Sequence, residues 1–183
     1  MIVMINGSFG VGKSTIAKLL RSSLPGSVIY DPEWVGFILK RLPGWIRLKR
    51  TGAWDDYQHI VLWRRSTVAG VRLFSHFVSG AIIVPMAFSC REYFDEVVSA
   101  IRHLDSEFRV FCLRASLATV KKRLVERGTK IEGPGSDWIA RRIIECVEAH
   151  RDPHFGEPVD TENRSAHEVA EDIIKRLRSN GQP

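Results

Sequence analysis

Apolar residues in this sequence follow two alternating rhythms. Short apolar runs at 2–6, 27–30, 81–85 and 109–113 lack polar alternation, which predicts strands buried on both faces, as in a parallel sheet. Between these runs the apolar positions recur at helical spacing. Residues 14–23 place Ile16, Ala17, Leu19 and Leu20 together, and Pro25-Gly26 stops that helix. Pro32 suits a first helical turn, so a helix is predicted over 33–41, closed by Pro43-Gly44. A long helix is expected from a cap at Asp55 or Asp56 to about Val78, striped by Ile60, Trp63, Thr67, Val71 and Phe74. Helices over 93–103, 116–127 (capped by Ser116) and 138–150 follow, with a breaker-rich loop at 128–135. Residues 158–160 suit a last short strand. Ser165-x-x-Glu168 is a capping box opening a terminal helix that aligns Val169, Ile173 and Leu177. Strands alternating with helices predict a single three-layer α/β domain over 1–183 with a mostly parallel sheet.

The turn after the first run carries chemistry. Gly7-Ser8-Phe9-Gly10-Val11-Gly12-Lys13-Ser14 matches G-x-x-x-x-G-K-[ST], the phosphate-binding P-loop, with an apolar strand before it and an amphipathic helix after it. Its glycines let backbone N–H groups converge on phosphate oxygens, and the helix start at 13–15, including Thr15, adds free donors and a favourable dipole. Lys13 is expected on the β- and γ-phosphates of ATP and the Ser14 hydroxyl on Mg²⁺.

Composition narrows the class. A chain of 183 residues with 44% hydrophobic content can build its own core, so disorder is excluded. No apolar run reaches the ~18 residues of a membrane span, and the start carries no leader pattern. Cys90, Cys112 and Cys146 lie far apart without a C-x-x-C pair, and the six histidines are scattered; this signals neither disulfide framework nor zinc site and points to the cytoplasm. The net charge of +6 invites a nucleic-acid reading. The basic residues are spread along helices, apart from Arg41, Arg47, Lys49 and Arg50, and neither RNP-like aromatics nor helix-turn-helix spacing is present, so no nucleic-acid partner is expected.

An acid is needed near the P-loop. The run 81–85 ends at Pro85-Met86 without one, which leaves Asp31, at the carboxyl end of the second run, as catalytic base or as a Mg²⁺ holder through water. Glu33 is the second candidate. Arg123 and Arg127 precede the glycine-rich loop and Arg141 and Arg142 follow it, the arrangement of a phosphate-clamping lid at about 127–142.

Several segments together resemble the tunicamycin-resistance protein family within the P-loop nucleoside and nucleotide kinase superfamily. They are the P-loop with Ile5-Asn6 before it, Tyr30-Asp31-Pro32-Glu33 with Gly36-Phe37, Asp56-Tyr57-Gln58 leading to Leu62-Trp63-Arg64, Ile83-Val84-Pro85-Met86, Glu92-Tyr93-Phe94-Asp95-Glu96, and Leu124 with Arg127. The resemblance spans most of 1–178 and implies a five-stranded parallel sheet in the order 2-3-1-4-5, ATP on the P-loop and a mobile lid. It further implies Arg123 over the adenine, Arg127 near the phosphates and the turn 160–163 beside the base. Tunicamycin contains uridine, so a nucleoside-shaped pocket is implied, lined by Asp31, Glu33, Trp34, Phe37, Tyr57, Trp63, Arg64, Met86 and Phe88. The expected activity is phosphoryl transfer to a nucleoside-like small molecule, with sequestration of the drug and a general small-molecule kinase as alternatives. The typical member of that family continues past the point matching Pro183 and has been regarded as membrane-associated through that region; the narrow stripe of 166–178 favours packing on the sheet over membrane binding.

Overall fold

The structure, a computed structural model, describes residues 1–34, 57–131, 133 and 136–179. Five parallel strands, β1 (Ile2–Gly7), β2 (Val28–Ile29), β3 (Ile82–Met86), β4 (Arg109–Arg114) and β5 (Glu157–Asp160), form one sheet in the order β2-β3-β1-β4-β5. This is the strand order expected from the resemblance. Among the described residues six helices surround it: α1 (Lys13–Ser23), α2 (Val61–Ser75), α3 (Arg91–Arg102), α4 (Leu117–Glu126), α5 (Asp137–Ala149) and α6 (Ala166–Ser179).

All six residues of β1 are buried, because the strand lies between β3 and β4 and is covered on both faces. One face packs Met4, Val84 and Cys112 against Trp63, Phe94 and Val97 of α2 and α3. The other packs Ile5, Ile83 and Leu113 against Ile16 and Leu20 of α1 and Val169 and Ile173 of α6. Each fully buried Leu or Ile contributes roughly 1.5–3 kcal/mol. Helix α6 begins at the expected capping box: Ser165 N–H donates to Glu168 Oε2 at 2.8 Å and Glu168 N–H to Ser165 Oγ at 3.2 Å. Its apolar stripe lies against the sheet, and among the described residues no helix is long and apolar enough to cross a membrane.

Two boundaries differ from expectation for physical reasons. Strand β2 pairs only Val28 with Ile82 and Ile29 with Ile83. Ile82 N–H bonds toward β1 at Met1 O, and Ile83 O accepts Tyr30 N–H from β2, so alternation along β3 turns residue 85 toward β2. That residue is Pro85, which has no N–H to give. Pairing stops there, and the chain leaves the sheet at Asp31. The long helix expected from Asp55 or Asp56 starts later, at Val61, after a 3₁₀ turn at Tyr57–His59. Gln58 is held out of a helix because its side chain donates to Ala87 O at 2.9 Å and accepts from Ser89 N at 3.3 Å. The proposed caps Asp55 and Asp56, most of the predicted helix 33–41 and the basic cluster Arg41–Arg50 lie outside the described residues.

A polar bolt joins the strand ends. Asn6 accepts from Phe88 N at 2.9 Å and donates to Phe88 O and Phe155 O, and the His150 ring contributes Nε2 to Phe88 O at 2.7 Å. Burial pushes the His150 pKa down to about 4. A base whose folded pKa lies below its unfolded value loses stability as pH falls from about 6.5 to about 4, because the unfolded chain takes up the proton first. Between pH 7 and pH 5 this single group should cost about 2 kcal/mol, and His150→Phe should remove that share of the acid slope. Denaturant melts of both proteins at the two pH values check it.

Candidate active site

The P-loop spans the turn from β1 into α1. Gly10 has φ 78°, and a Cβ there would stand 2.7 Å from Leu124 Cγ, so α4 packs directly on the loop. Gly12, at φ 113°, precedes α1; a Cβ on it would meet nothing within 4 Å, so the loop is open on that side. The start of α1 has no side-chain cap and no acid in its first turn, which leaves its N–H groups for an anion. Ser14 and Thr15 are exposed there. Lys13 is buried, donates to Ser8 O at 2.9 Å and lies 5.4 Å from the Phe9 ring centroid. Burial lowers its pKa, opposed by the charges of Glu33 and Asp31. A buried cation facing an open cradle of N–H groups is what a polyphosphate requires.

Beside the loop is a cleft of about 260 Å³ lined by Val11, Thr15, Arg123, Arg127, Thr161 and Arg164, among others. Arg123 donates to Val11 O at 3.2 Å, Thr161 Oγ1 at 3.0 Å and Thr161 O at 2.7 Å. The guanidinium therefore fastens the 160–163 turn to the P-loop. Glu162 in that turn accepts from Ser116 N at 2.7 Å and from the Thr119 hydroxyl, and these bonds hold its pKa below the usual carboxylate value. Arg127 is exposed at the C-terminal end of α4. The predicted nucleotide residues of the P-loop, Arg123 and Arg127 are thus brought to one place.

Asp31 lies where β2 is released. Its Oδ1 accepts Glu33 N–H at 3.0 Å, and the flanking residues are pinned from α2: Tyr30 Oη donates to Ser66 O at 3.2 Å and Trp63 Nε1 to Pro32 O at 2.8 Å. Both Asp31 and Glu33 are close enough to Lys13 to act on its charge.

A second cleft of about 430 Å³ lies beyond the end of β3, lined by Gln58, His59, Ser89, Tyr93, Arg142 and Glu145. Arg142 is buried and donates to Ser89 Oγ at 3.0 Å and Glu145 Oε2 at 2.7 Å. Arg141, its neighbour, is exposed and 3.9 Å from Glu145. The lining differs from the sequence expectation. Trp63, Arg64, Met86 and Phe88 are buried and support the wall from behind. Arg64 Nε donates to Glu96 at 2.6 Å and its guanidinium stacks 4.3 Å from the Tyr93 ring centroid, which fixes that ring. Trp34 is 73% exposed and Glu33 is also exposed, while Phe37 lies outside the described residues. Tyr57 opens the 3₁₀ turn. Ser89 and Glu145 are not among the residues singled out from the sequence, and Gln58 appears there only within Asp56-Tyr57-Gln58, because their meeting depends on three distant segments.

Strand order, P-loop and flanking clefts define a P-loop kinase-like fold. A tunicamycin resistance protein from Deinococcus radiodurans is similar over 96% of this chain and 94% of that one, at 28% identity and a TM-score of 0.74. The resemblance read from the sequence is thereby borne out. A gluconokinase from Sinorhizobium meliloti (14% identity, 97% and 91% covered, TM-score 0.63) and a shikimate kinase from Aquifex aeolicus (15%, 98% and 98%, TM-score 0.55) share the fold. No protein-family model and no curated protein matches the chain.

Proposed function

We propose that this protein is an ATP-dependent phosphotransferase acting on a hydroxyl of a small molecule, with tunicamycin or a related uridine compound as the acceptor to test first. The observation that carries this reading is the position of Asp31 just past the end of β2, close enough to Lys13 of the P-loop to act on its charge. The nucleotide fits the open P-loop cradle and the cleft of Arg123 and Arg127. Ser14, with Asp31 through water, would hold Mg²⁺. ATP supplies the transferable phosphoryl group, and the metal neutralises its oxygens. Asp31 takes the proton of the acceptor hydroxyl, while Lys13 and the α1 N–H groups stabilise charge on the oxygens. The Asp31 turn is kept in register by Trp63 and Tyr30.

One observation favours sequestration as a second reading: β3 ends at Met86 with no acid after it, so a site of this shape can bind nucleotide and drug without efficient transfer. Incubation with Mg²⁺–ATP and tunicamycin, with uridine and UDP-sugars alongside, separates them by ³¹P NMR and mass spectrometry. A phosphorylated product is the expected result. Binding of both ligands without product would establish sequestration, and no drug binding would leave a kinase with another acceptor.

A further inference from the structure

A smaller cavity of about 160 Å³ backs onto the P-loop through Ser8 and Val11. Its other walls come from the end of β4 and the following turn (Leu113, Arg114, Ser116) and from the exit of α5 (Val147, His150, Arg151). Its lining holds two arginines and no carboxylate. Arg151 is exposed and pairs with Glu148 at 3.1 Å, so its charge is largely offset. Arg114 is not: its Nε and Nη2 are buried without a hydrogen-bond partner. On the same face of β4 the guanidinium shares a hydrogen bond with Cys112, whose thiol burial pushes up to about 11, so this partner is neutral and leaves the charge and the Nε and Nη2 donors unanswered.

His150 supplies the complementary defect. It is 2% exposed, and its Nε2 is 2.7 Å from Phe88 O, an acceptor only, so the ring proton sits on Nε2. Its Nδ1 is a bare lone pair, buried without a partner. The charged groups that act on this ring are Lys13, Arg114 and Arg142, all positive. Buried donors and acceptors left unmade are rare in native proteins, and two sets of them lining one cavity call for a ligand that satisfies both.

We propose that this cavity binds a protonated phosphate group, as hydrogen phosphate or the singly protonated end of a phosphate monoester, which accepts from Arg114 and donates its P–OH to His150 Nδ1. Water is too weak a counter-charge for the guanidinium. Sulfate matches phosphate in shape but at neutral pH has no proton for Nδ1. The volume is that of roughly five waters, enough for one tetrahedral oxyanion. Because Ser8 O holds the Lys13 ammonium, an occupant here braces the P-loop from behind.

The test is binding of inorganic phosphate, sulfate and glycerol 3-phosphate at pH 6.0, where both phosphates carry a P–OH, sulfate has none and His150 is still neutral, by calorimetry and ³¹P line-broadening. The full chain is first saturated with a non-hydrolysable ATP analogue, so that the P-loop is occupied. The analogue's own titration reads nucleotide binding separately. Phosphate should bind at least tenfold more tightly than sulfate. Arg114→Met should lose at least tenfold in phosphate affinity while keeping its melting temperature without phosphate, since a buried uncompensated charge has been removed. His150→Phe should still fold and bind the two anions equally. Competition by glycerol 3-phosphate would identify a monoester end, and its failure to compete would identify the free anion. Equal affinity for phosphate and sulfate in the unmodified protein, unchanged binding by Arg114→Met, or a phosphate-soaked crystal with only waters between Arg114 and His150 would overturn the proposal.

Discussion

Replacing Asp31 by asparagine should lower phosphoryl transfer by about 10³-fold, within the range for loss of a positioned general base, and leave nucleotide affinity within about threefold. The asymmetry follows from how the residue is held. The bond from Glu33 N–H needs only an acceptor oxygen, which an asparagine amide retains. The chain on either side is fixed by Tyr30 and Trp63, so the turn should keep its shape. What disappears is the ability to take a proton. Single-turnover product formation measured beside a nucleotide titration distinguishes this from collapse of the site. Undiminished transfer would move the base elsewhere, with Glu33 the neighbouring acid.

Lys13→Met should abolish transfer while raising stability. The ammonium is buried, and desolvation lowers its pKa against the pull of Glu33 and Asp31, so in the empty protein the charge is held at a cost that these acids offset in part and a bound polyphosphate offsets further. Methionine fills a similar volume without charge. It forfeits the bond to Ser8 O, worth about 1.5–3 kcal/mol for a charged donor, and the pull of Glu33 and Asp31, and it removes the desolvation cost, the largest of these influences on the ammonium. The expected net gain is about 1 kcal/mol, or roughly 3 °C in melting temperature for a chain of this size. Loss of activity together with a lower melting temperature would mean that the lysine braces the empty loop instead. Saturating nucleotide should raise the melting temperature of the parent protein and not that of the variant.

Much of the fold was legible because its signals are local. The uninterrupted apolar runs marked the parallel strands, the P-loop spelled out a strand-turn-helix unit, and Ser165-x-x-Glu168 located the start of α6. The shortness of β2 was not legible: it depends on which way Pro85 points, and that is a matter of register with two neighbours. The late start of α2 had the same kind of cause, since Gln58 is drawn away by backbone groups some thirty residues further on. Helical periodicity marked Trp63 as inward-facing, yet could not say whether inward meant core or cleft. The Arg123 position followed from its helix, but its attachment to Thr161 required β5 to lie beside β4. The second cleft was least visible, because Gln58, Ser89 and Glu145 converge only after the chain is folded.

The early end of β2 has a consequence for the energetics of the site. The ladder holding this strand pairs only Val28 with Ile82 and Ile29 with Ile83, with Val28 N–H on Ala81 O and Tyr30 N–H on Ile83 O at its ends and Ser27 Oγ accepting from Ala81 N–H at the start. An outermost strand with so few rungs is the cheapest part of the sheet to peel away, and it carries Asp31 at its tip. The acid therefore depends for its position less on the sheet than on α2, through Tyr30 Oη on Ser66 O and Trp63 Nε1 on Pro32 O.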